Sequence, residues 1–181
     1  MSKNFRFARA ITVMLVAGAA GAWAHGDDEA STGRPHQTLG EVQFPVACNG
    51  AAQMEFNRAM ALFHSFWFDP AKKSFAKVLE LDPECGMAHW GIAIMSMGNP
   101  FVWPANPVAM KAAATAAAEA QRVGAKSERE RDYIAALSVF FKDWETTEYR
   151  QRAVALEKAV GDVAARYPQD DEVAGFAAAH A

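Results

Sequence analysis

The chain predicts an all-α fold of short antiparallel helical hairpins stacked side by side, and three observations carry that expectation. Apolar residues recur at three- and four-residue steps, while the strict alternation of a half-buried strand is nearly absent. Start and stop signals follow each other closely: Asp69-Pro70, Asn106-Pro107 and Ser127-x2-Glu130 read as helix starts, and Pro83, Gly98, Gly124 and Pro168 as stops. Lastly, Ala71-x3-Phe75-x7-Pro83, followed by Ala88-His89-x2-Ile92-Ala93, sets small residues where two helices approach closely and an aromatic where their groove needs filling.

Taken in order, the first ordered stretch is Gly40 to Val46 (GEVQFPV), a short extended segment that Pro45 keeps from being a central strand. After Asn49-Gly50 the pattern turns helical, with Phe56, Met60 and Phe63 in an amphipathic stripe beside Ala59 and Leu62. Ser65 to Phe68 makes a bend. Asp69 then offers an N-cap oxygen and Pro70 the first helical position, and the second helix runs to about Leu81, before Asp82-Pro83. A third helix covers Gly86 to Met97 and ends at Gly98-Asn99-Pro100. The proline-rich, aromatic stretch that follows (NPFVWP) predicts an ordered loop.

Asn106-Pro107 opens an alanine-rich helix that stops at Gly124, a residue suited to the left-handed C-terminal position. Ser127-x2-Glu130 is a capping box, and its helix carries Tyr133, Ile134, Leu137, Phe140 and Phe141 on one side. From about Thr147 another helix shows Tyr149, Ala153, Leu156, Val160, Val163 and Tyr167 in register, and Pro168 ends it. Asp170 or Asp171 caps one more. The expectation is about seven short helices.

These spacings resemble the tetratricopeptide repeat, whose pattern is W-x2-L-G-x2-Y…A-x3-F…P over about 34 residues. The resemblance is strongest over residues 51 to 98, through Ala71, Phe75 and Pro83 and then His89, Ile92, Ala93 and Ser96. It departs from the pattern where Glu55, Arg58 and Leu62 hold the tryptophan, leucine and tyrosine sites, and the stretch from Pro100 to Lys126 breaks the period. The segments FPVACNGAAQMEFNRAMALFHSFWF and DPECGMAHWGIA also resemble exported bacterial repeat proteins of unassigned function. An irregular helical bundle is the plainer alternative.

The N-terminus supplies an address. Lys3, Arg6 and Arg9 precede an apolar run from Ala10 to Ala20 and the small-residue pattern Ala22-Trp23-Ala24, which reads as a secretory signal cleaved before His25. Residues 25–46 then form a flexible or extended leader, and residues 47–181 a helical domain that stops mid-pattern in an apolar last helix. A stack of helical repeats needs a polar cap, so the chain is expected to continue into a longer protein or to self-associate through that C-terminal helix. Cleavage leaves 157 of the 181 residues and removes three positive charges, taking the net charge from −3 to −6. An acidic chain without basic clusters is a poor partner for nucleic acid or anionic membranes. No later stretch is long and apolar enough to span a bilayer. Export to the periplasm or beyond also favours oxidised thiols. Cys48 and Cys85 flank the first predicted hairpin, and a bridge between them would close a loop of about 38 residues. Two unrelated buried thiols are the other reading.

The resemblance implies a binding scaffold that recognises protein by shape, not an enzyme. Carried over by position, the first helix of each hairpin would present Phe56, Met60, Phe63 and His64, with Gln53, and then Met87, Trp90, Ile94 and Met97. That face either takes a protein or peptide partner or is covered by later helices of the same fold. The cluster Phe66-Trp67-Phe68 with Phe101 and Trp103 carries the same ambiguity. Signatures of catalysis are missing: no glycine-rich elbow holds a serine, no loop cradles phosphate, and no His-Glu-x2-His pair occurs. Neither a cofactor nor a metal is expected. The rival class is copper handling, through His25, His36, Asp27, Asp28 and Glu29 or through His89, Met95 and Met97, although His89 and Met95 point to opposite sides of a helix. An accessory domain of a longer enzyme is a third possibility.

Overall fold

A computed structural model describes residues 39–99 and 105–178. Residues 1–38, which include the expected signal, residues 100–104 of the expected aromatic loop, and residues 179–181 with His180 lie outside the described residues. Within the described residues the chain is all-α, with seven helices and no strand.

Local sequence explains most boundaries. Asn49 caps α1 (Gly50–His64) by accepting the Ala52 amide at 3.0 Å, and Asn106 caps α4 (Pro107–Val123) by accepting that of Ala109 at 3.0 Å. Ser127 does the same for α5 (Glu128–Phe141) through the Glu130 amide. Between them lie α2 (Phe68–Leu81) and α3 (Gly86–Met97); α6 (Tyr149–Arg166) and α7 (Asp171–Ala178) follow. Gly98 and Gly124 end α3 and α4 with φ of 71° and 70°, a conformation that costs other residues a Cβ clash. Of the two aspartates before α7, Asp170 takes the cap: its Oδ1 accepts the amides of Glu172 at 3.2 Å and Val173 at 3.4 Å.

Two starts differ from expectation. Helix α2 begins one residue before Asp69, because Trp67 O already accepts the Ala71 amide. Asp69 therefore serves as first-turn charge against the helix dipole, and Pro70 sits inside a turn whose amides need no helical partner. The capping box before α5 is only half made. Ser127 bonds the Glu130 amide, but the Glu130 carboxylate accepts the Ser127 hydroxyl and the Ala47 amide, as described below.

Each helix packs on its neighbours in chain order, and α3 also meets α5. Glycine permits two of the closest approaches. A Cβ on Gly91 would fall 2.5 Å from the Phe75 ring, and one on Gly86 would fall 1.9 Å from the Gly124 carbonyl oxygen. Arg152 is buried between α5 and α6, where its guanidinium donates to the Thr147 and Phe140 carbonyls and covers the Phe140 ring at 4.7 Å. A Cys48–Cys85 disulfide ties the entry of α1 to the entry of α3, and Asn49 and Asp82 bond the same two ends together. The folded unit reaches further upstream than residue 47: Phe44 and Val46, which the sequence assigns to a leader, are fully or almost fully buried. The reason is apolar area. An aromatic ring of this size gains too much from burial to stay in solvent beside an open hydrophobic face.

Candidate segment-binding site

Residues 42–47 cross the face made by α1, α3 and α5 without belonging to any helix or strand, and the chain bends at Ala47. Their main-chain groups are held by side chains. Phe44 donates its amide to Asn57 Oδ1 at 3.2 Å, and its carbonyl accepts from Gln53 Nε2 at 2.8 Å. Val46 donates to Gln53 Oε1 at 2.7 Å. Gln53 and Asn57 lie one turn apart on α1 and are bonded to each other at 2.8 Å, so each orients the other. From the opposite side, the start of α5 supplies Arg129, which donates to the Pro45 carbonyl at 3.0 Å, and Glu130, which accepts the Ala47 amide at 2.6 Å. Pro45 has no amide to satisfy, so its place between two bonded residues leaves no donor stranded.

One side chain anchors the crossing. The Phe44 ring stands 5.4 Å from Phe56 of α1, 6.2 Å from Trp90 of α3 and 5.3 Å edge-on from Tyr133 of α5. The Arg129 guanidinium lies over it, 4.3 Å from the centroid. Asp170, ahead of α7, holds that guanidinium at 2.5 Å and accepts the Tyr133 hydroxyl at 2.9 Å. Burial works against charge on both Arg129 and Asp170, yet their mutual hydrogen bond prevails, raising the Arg129 pKa and lowering that of Asp170. Burial, with the Asp170 charge beside it, pushes the Tyr133 hydroxyl well above its usual range. The phenol is therefore a fixed donor. Phe176 of α7 closes the cluster, 5.9 Å from Trp90.

Beside the crossing segment runs an open cleft of about 1120 Å³, between residues 41–47, the start of α5 and the turn from Arg166 to Glu172. The arrangement is suited to holding an extended chain. Four polar side chains read main-chain groups, and one hole reads a single aromatic residue.

The face nominated by sequence position lies largely beneath this segment and the later helices. Phe56, Met60, Met87, Trp90, Ile94 and Met97 are each at most 4% exposed, so as a surface open to a partner those six are corrected to core. Only Phe63, half-buried, and His64, exposed, reach the edge, where His64 Nε2 meets Glu172 Oε2 at 2.8 Å. Met95, which the copper reading needed, is also core, and burial lowers the His89 pKa. Among the described residues no three His, Cys, Asp or Glu side chains converge on a point that could hold a metal ion. His25, His36 and the acidic residues near them lie outside the described residues. Sequence reasoning passed over Phe44, Asn57, Arg129 and Glu130. The apolar triplet Phe44-Pro45-Val46 in a polar stretch was a signal for the first, whereas Glu130 was masked by its fit to a capping box.

No family model matches the chain, and neither the curated proteins nor the solved structures include a match to it. Fold and site together define an all-α protein with a face that holds residues 44–47 of its own chain by their main chain.

Proposed function

We propose that this chain is an exported, non-enzymatic helical scaffold that binds extended segments of other proteins on the face made by α1, α3 and α5. Its kinship would be with tetratricopeptide-like repeats, in which stacked hairpins present a groove and no turnover occurs. The observation that carries the reading is the set of five main-chain contacts to residues 44–47 made by Gln53, Asn57, Arg129 and Glu130. Contacts to main chain recognise conformation before sequence, which is how extended peptides are read by protein grooves. The signal-like N-terminus and the Cys48–Cys85 bridge support an oxidising compartment outside the cytoplasm. Affinity capture of the mature protein from its own periplasm tests the proposal. A defined protein that co-purifies, and is lost from a Gln53→Ala variant, supports it. Capture unaffected by that variant would place the partner on another surface.

A further inference from the structure

We propose that residues 42–47 are a resident occupant of the binding face, and that a partner segment of the same chemistry binds by exchanging with them. This rests on the segment-binding reading above and names the ligand class that reading leaves open. The crossing segment is its own template. Its contacts require an aromatic residue whose amide and carbonyl are both bonded, a next residue that uses only its carbonyl and so can be proline, an aliphatic residue bonded through its amide, and a small residue bonded through its amide. The partner is therefore an extended, uncharged stretch of the form aromatic-Pro-aliphatic-small.

Exchange is possible because residues 42–47 are tied to the helical framework only by side-chain burial and by hydrogen bonds to helix side chains. They pair with no helix or strand backbone, and every hydrogen bond they make here is to a side chain. The Cys48–Cys85 bridge and the Asn49 cap fix the chain directly after them, so release stops there and leaves α1 intact. The cleft along the segment's outer side gives an incoming chain a place to start pairing before the resident leaves.

An occupied site taxes affinity. The apparent Kd is the intrinsic value divided by the fraction of molecules whose site is vacant. The test uses the full mature chain and a labelled synthetic peptide of residues 41–47 (EVQFPVA). Wild type should bind weakly, with an observed rate that levels off at high peptide concentration because release of the resident segment becomes limiting. Phe44→Ala empties the hole and should bind at least tenfold more tightly, with its melting temperature restored towards wild type by the peptide. Adding Gln53→Ala should abolish that gain. Should Phe44→Ala fail to fold, Phe44→Leu, which half-fills the hole, should show the same effect in smaller measure. Equal, unsaturating binding by wild type and both variants would overturn the exchange while leaving segment binding intact. Absence of binding by every folded variant would overturn both. A concentration-dependent dimer in which two copies trade residues 42–47, without peptide uptake, would overturn the choice of partner.

Discussion

Glu130 Oε1 accepts the Ala47 amide at 2.6 Å across a sequence separation of 83 residues. The same oxygen accepts the Ser127 hydroxyl at 2.9 Å, and the side chain is buried. One carboxylate therefore fastens the crossing segment to the start of α5. Glu130→Ala would leave the part-buried Ala47 amide and the Ser127 hydroxyl without their acceptor, and it is expected to cost about 1–3 kcal/mol. Glu130→Gln keeps an acceptor and should cost about 1 kcal/mol less. Urea unfolding of both variants checks the order.

The His64–Glu172 contact joins the end of α1 to the start of α7 and should make that junction pH-dependent. The hydrogen bond to Glu172 raises the His64 pKa above its ordinary 6.5, against the opposing effect of burial. A group raised on folding stabilises fully below its unfolded value and loses that contribution as pH rises through its folded one. His64 is about half exposed, so solvent screening limits the effect to roughly 0.5 kcal/mol. Stability measured from pH 6 upward should decline by that amount in wild type and stay level, over the same step, in Glu172→Gln.

Glycine-to-alanine changes on α3 should divide by what the new methyl meets. At Gly91 it meets a Phe75 ring that can tilt, so a loss of about 1–3 kcal/mol is expected. At Gly86 it meets the Gly124 main chain, which can yield only if α3 and α4 separate. Thermal melts should rank Gly86→Ala as the more damaging of the two, with Gly50→Ala, which faces open space, close to neutral or better.

Reducing the Cys48–Cys85 bridge frees a loop spanning a sequence separation of 37. On the chain-entropy account that loses roughly 3–4 kcal/mol. The paired replacement of both cysteines by serine should lower the unfolding midpoint by a matching amount while keeping the helical circular dichroism. It should also loosen residues 42–47, which Cys48 anchors at their C-terminal end.

Helix positions were legible because local chemistry decides them. Asn49, Asn106, Ser127, Gly98 and Gly124 each act within one turn of their own residue, and the periodic stripes of α1, α3 and α5 are the buried ones. The cysteine pair was legible because a helical hairpin brings its two ends together. What a residue meets across the fold was not. Position alone made Met60, Met87 and Trp90 look like a groove, but the apolar chain at residues 44–46 and the later helices compete with any partner for that area. Glu130 satisfied a local rule on paper, yet the part-buried amide of residue 47 is a better partner than its own helix end, which water can also serve. The proposed binding face therefore shares α1 and α3 with the face nominated from sequence, but rests on different side chains and adds α5.

Amide hydrogen exchange, read residue by residue, bears most directly on the claim that one face of this protein holds an extended chain by its backbone. Phe44, Val46 and Ala47 should exchange slowly in the protein and Gln43 quickly, and excess EVQFPVA peptide should speed the first three while the helices stay protected. Fast exchange at Phe44, Val46 and Ala47 in the unliganded protein, or slow exchange that the peptide leaves unchanged although it binds, would contradict the account.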